Sequence, residues 1–188
     1  MRRALIAALL FGLCYVAHGA KVDPGAVAYE DPFTGFKFPQ LLGSFKFQRQ
    51  GQLERVQLGY GVTYVEPTGA TATIIVYDMN LSGIQDGTTD ARVQEEFATI
   101  DRAIGAFARQ GGYRSATRID NVQQLSKAWL QANHELIRAD GRRALSYSFI
   151  RGQNGRFVKI RITTPSQATY ARLPVFLLSV SRAIRMLG

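Results

Sequence analysis

Few side chains in this 188-residue sequence are of types that do chemistry: two histidines, one cysteine and fourteen carboxylates. His18 and Cys14 fall in the first twenty residues, which leaves His134, in Asn133-His134-Glu135-Leu136. A Ser-His-Asp site or a zinc site needs such an imidazole. No second histidine follows at His-Glu-x-x-His spacing, so the ordinary reading is a partly exposed histidine on a strand. There is no Gly-x-Ser-x-Gly nucleophile turn, no Walker loop and no Gly-x-Gly-x-x-Gly. Carboxylates are the remaining catalytic option. Asp78, Asp86 and Asp90 border one loop, and Glu95 and Glu96 follow it. Asp86-Gly87-Thr88-Thr89-Asp90 falls short of a calcium loop in ligand number and lacks its terminal Glu. An acid pair working across a cleft would need the fold to set its spacing.

Charge is the uneven feature. Lys and Arg total 23 against 14 Asp and Glu, a formal +9. Arg138, Arg142, Arg143, Arg151, Arg156, Lys159 and Arg161 crowd one stretch. Strand alternation puts Val158, Ile160 and Ile162 on a core face and Phe157, Lys159 and Arg161 on the other. The basic pair is then expected to face water or a partner, with Arg151 and Arg156 flanking a hairpin tip. Arg151, Arg156, Lys159 and Arg161 are the expected binding residues. A solvated face would explain them blandly; an acidic protein or anionic envelope component would explain them functionally. No nucleic-acid motif accompanies the charge, and basicity alone is a weak argument for such a ligand. Tyr60, Tyr64 and Trp129 offer a third option, an apolar-ligand pocket between sheet and helix.

The first residues read as an address. Met1-Arg2-Arg3 precedes an apolar run from Ala4 to Ala17, and Ala17-His18-Gly19 sets small residues for a cut after Gly19, with Ala20 the neighbouring choice. Basic start, short apolar run and small-residue exit make residues 1–19 a secretory signal peptide. The run is shorter than the roughly 20 residues of a spanning helix, so no transmembrane span is expected in the mature chain. Leu13 before Cys14 argues against lipidation. Processing would discard Cys14 and, with Arg2 and Arg3, lower the charge from +9 to +7. A cysteine-free exported domain points to a bacterial periplasm.

The elements that must position these groups follow from periodicity. Residues 20–30 read as a flexible lead-in. Phe36/Phe38 and Phe45/Phe47 alternate as short strands. Residues 57–66 and 70–79 form a hairpin around Pro67-Thr68-Gly69, the second strand with both faces buried. Val93, Phe97, Ile100, Ile104 and Phe107 make a helical stripe that Thr89 or Asp90 caps and Gly111-Gly112 ends. Residues 113–119, 144–150 and 157–163 read as strands, the last two joined by Gly152-Gln153-Asn154-Gly155. Residues 125–137 fit helix and strand templates in part, with strand preferred. Leu173 to Leu187 repeats at helical spacing, with Pro174 at a start or a kink. The sum is an α+β fold, one antiparallel sheet flanked by helices over residues 31–188.

This order, an aromatic hairpin, a strand pair running to Val76-Tyr77-Asp78, a helix, further strands and a closing helix, resembles the PsbP-like fold family across residues 30–187. The resemblance lies in order and spacing; no site motif matches. It implies a sheet with helices on its faces, in a family of accessory and binding proteins more than enzymes. The expectation is an exported, non-catalytic accessory or chaperone-like domain for an anionic or acidic partner, without a cofactor or metal. The alternatives are a carboxylate-based hydrolase and a small apolar-ligand carrier.

Overall fold

The computed structural model describes residues 23–53, 59–120 and 123–185. The expected signal peptide lies outside them. Val27–Glu30, expected within a flexible lead-in, is instead strand β1 and pairs antiparallel with β2 (Lys37–Pro39). The turn between them explains this. The buried Asp31 carboxylate accepts hydrogen bonds from the Thr34 amide at 2.7 Å and from the Thr34 hydroxyl, and Gly35 takes φ of 70°. Tyr29 then stacks on Phe38 and meets Tyr60 edge-on at 5.3 Å. The aromatic pairs at 36/38 and 45/47 therefore do not form one hairpin.

The chain continues through β3 (Leu41–Leu42), β4 (Phe45–Gln52), β5 (Gly59–Val65) and β6 (Thr71–Tyr77), a meander of antiparallel neighbours. Helix α1 (Ala91–Arg109) then carries the chain from the sheet's middle to its far edge. A second meander, β7 (Tyr113–Arg118), β8 (Leu130–Arg138), β9 (Arg143–Gln153) and β10 (Arg156–Thr164), works back until β10 pairs with β6. The eight strands lie in the order β3-β4-β5-β6-β10-β9-β8-β7, every pairing antiparallel. A 3-10 turn (Gln167–Arg172) leads to helix α2 (Leu173–Ala183), where Pro174 occupies the first turn and so starts the helix rather than kinking it. Residues 125–137 resolve as a turn followed by β8.

Directly opposed residues share a face, and the two faces carry separate cores. On one, Val62, Ile74, Ile160 and Phe149 lie in a cross-strand row beneath Phe176, Leu177 and Val180 of α2. On the other, Tyr77, Phe157, Ile150 and Leu136 meet Val93, Ile100 and Ile104 of α1. The helical stripe read from the sequence is this second contact. Asp90 is its N-cap and accepts from the Arg92 amide at 2.7 Å. Gly111, at φ of 83°, turns the chain out of the helix. Strand β6 is fully buried on the α2 side, but Thr73 and Ile75 on the other are half-buried, because α1 lies mainly over β7 and β9. No helix of the described residues is long and apolar enough to cross a membrane.

Candidate surface for an anionic partner

The four basic residues expected to bind together do not share a face. Arg151 and Arg156 have the parity of Val158 and lie on the α2 side. Arg151 sits over Trp129, its Cζ 5.7 Å from the ring centroid, and burial pulls its pKa down while Asp86 opposes the shift. Arg156 donates to Asp78 Oδ2 at 2.7 Å. Lys159 and Arg161 lie on the α1 side, as alternation required, but they do not face open water. Lys159 Nζ is 3.4 Å from Glu96 Oε1 on α1. Arg161 donates from Nη2 to the Tyr113 hydroxyl at 2.5 Å and from Nε to Ser146 Oγ at 3.4 Å. The helix that crosses this face supplies partners that a strand pattern alone does not reveal.

The carboxylates of residues 78–96 are equally occupied. Asp78 takes the Asn80 amide at 2.8 Å as well as Arg156. Asp86 clamps the β9–β10 tip, accepting from the Asn154 amide at 2.6 Å and Gln153 Nε2 at 2.9 Å. Asp90 caps α1, accepts from the Gln85 amide at 2.8 Å and is bound by Arg92; these hydrogen bonds, Arg92 foremost, hold its pKa far below the usual carboxylate range. Glu96 accepts from the Tyr77 hydroxyl at 2.6 Å. Burial, then Glu96, drives the Tyr77 pKa well above the ordinary phenol value. No group of three or more metal-ligating side chains occurs among the described residues. These carboxylates act as turn caps, clamps and ion-pair partners.

His134 is 3% exposed, deeper than its sequence context suggested. Its Nε2 lies 2.8 Å from Asp101 Oδ1 on α1, while Nδ1 is buried without a partner. Burial lowers its pKa against the pull of Asp101, with Arg118 and Arg161 lowering it further. With Nε2–H donating to Asp101, a second proton on Nδ1 would be an unsatisfied buried donor. Tyr60, Tyr64 and Trp129, offered as pocket walls, are packed into the α2-side core. A small cleft of about 240 Å³ lies elsewhere, between Phe97, Arg118, Gln124 and Leu130.

Uncommitted charge gathers where α1 hands over to β7. Arg109 ends α1, Arg114 lies in β7, and Arg138 ends β8 opposite Tyr113. All three are exposed, as is Arg102 on α1; none forms an ion pair among the described residues, and Arg138 acts on Asp140 only through space, behind Arg142. Arg114 Nε donates to the Ala139 carbonyl at 3.0 Å, which steadies it without neutralising it. Around them Arg142 pairs with Asp140 at 2.6 Å, Arg143 with Glu135, and Arg118 with Asp101 at 2.5 Å and Asp120 at 2.9 Å. Of these seven arginines three have ion-pair partners, Asp140, Glu135, Asp101 and Asp120, and four have none among the described residues. Sequence reasoning found Arg138, Arg142 and Arg143 within the basic stretch but placed the weight on the next hairpin. Arg102, Arg109 and Arg114 are dispersed in sequence, on α1 and on the strand that follows it. No family model matches the chain, and no curated protein does.

Proposed function

We propose that this protein is an exported accessory domain of a bacterial envelope that binds an anionic partner and catalyses nothing. The observation that carries the reading is the basic corner of α1, β7 and β8, where Arg102, Arg109, Arg114 and Arg138 are exposed and form no ion pair among the described residues. Like-charged side chains on one surface repel one another, and an anionic surface relieves that repulsion. The engagement of Asp78, Asp86, Asp90 and Glu96 in caps and ion pairs supports a binding role over carboxylate hydrolysis. The PsbP-like resemblance belongs to the same proposal, supported by element order and by helices on both sheet faces. Export rests on residues 1–19, and N-terminal sequencing of periplasmic protein tests it: Ala20 or Lys21 as first residue supports the cut, and Met1 contradicts it.

Binding is tested with immobilised poly-L-glutamate. Retention is expected at about 0.1 M salt and lost near 1 M, as the screening length falls from about 10 Å to about 3 Å. Retention that is absent at low salt, or indifferent to salt, overturns the reading.

A further inference from the structure

The β7 edge at this corner has a second property that charge alone does not describe. Strand β7 pairs only with β8, through Ser115↔Ile137, Ala116↔Leu136 and Thr117↔Glu135, and no described strand lies on its outer side. Its six residues give an edge about 20 Å long at the usual rise. Arg114, Ser115, Thr117 and Arg118 are exposed along it. At the opposite edge of the sheet, β3 has two residues and covers only Phe45 and Lys46 of β4, whose register with β5 slips between Phe47 and Arg49. An edge of this length presents amide and carbonyl groups ready to pair with an added strand.

The charge selects which strand. The register slips between Tyr113 and Ser115, a bulge at Arg114. Bulges and cationic side chains are devices by which edges limit pairing with other strands, and the charge makes that limit depend on the incoming strand's own charge. A second copy of β7 would bring its own arginines against Arg114 and Arg118, and like charges across a strand pair are destabilising. An acidic strand meets attraction at Arg114, which has no ion pair among the described residues, whereas Arg118 is already held by Asp101 and Asp120. Building on the proposed anionic partner, we infer that the partner's contact is an extended acidic peptide segment that adds to β7 as a further strand.

Backbone pairing separates this inference from general charge attraction. The probe is a fluorescent peptide of alternating glutamate and valine, titrated against the full mature chain and read by anisotropy. Two modified peptides carry N-methyl groups on alternate amides, one set on each edge of the extended peptide, so that charge is unchanged. Because a strand bonds to β7 through one edge only, one set is expected to abolish binding and the other to retain it. Arg114→Glu is expected to weaken the unmethylated peptide roughly tenfold. Equal binding of both methylated peptides overturns strand addition while leaving the anionic partner in place. Failure of the unmethylated peptide, with polyglutamate or anionic vesicles still bound, does the same. Failure of polyglutamate as well removes the proposed function itself.

Discussion

His134 shows how one buried ring reports on the layer it occupies. It joins β8 to α1 through Asp101 and keeps an unpartnered Nδ1, and its burial outweighs the pull of Asp101, so its folded pKa lies below the ordinary value of about 6.5. The unfolded chain therefore binds the extra proton first as pH falls. The stability this ring contributes is complete above about 6.5 and is lost as pH drops through the folded value. Denaturant midpoints measured from neutral to mildly acid pH are expected to fall in the native protein and to fall less in His134→Gln. Equal slopes would show that His134 is not the titrating group. From the sequence this residue had no visible partner, because Asp101 lies 33 positions away on an element of different period. Longer separations, 63 and 78 positions, hid Glu96 from Lys159 and Asp78 from Arg156.

At the scale of elements, local chemistry was the readable part. The α1 stripe, the Asp90 cap and the Asn154-Gly155 turn each need only neighbours in sequence, and each stands where the pattern put it. Strand β1 was missed because its pairing depends on the Asp31–Thr34 turn and on Tyr29 reaching Phe38 and Tyr60. The loop after β6 is pinned to the β9–β10 hairpin by contacts distant in sequence. Gly87 and Gly152 exchange backbone hydrogen bonds at 2.9 and 2.7 Å, and Asp86 holds the tip. A Cβ at Gly152 would stand 2.0 Å from the Gln85 carbonyl oxygen, so only glycine permits this approach. Gly152→Ala is expected to detach the loop and lower the unfolding midpoint, with faster amide exchange at residues 85–87. Unchanged exchange there would contradict the clamp.

For the whole molecule, composition predicted an excess of positive charge but not where it would remain free. Folding neutralises or buries much of the 151–161 hairpin and leaves the arginines at the α1–β7–β8 corner exposed. The distinction matters because any strongly basic protein adheres weakly to polyanions, whereas a binding surface is local. Two variants with the same change in charge separate these cases: Arg114→Glu/Arg138→Glu at the corner, and Lys46→Glu/Arg182→Glu on β4 and α2, both exposed positions away from it. The decisive measurement is the affinity of each for soluble poly-L-glutamate at one fixed low salt. The corner pair is expected to lose roughly tenfold or more while the distant pair stays close to the native protein. Equal losses in the two would mean that overall charge, not this corner, draws the anion, and would contradict the assignment.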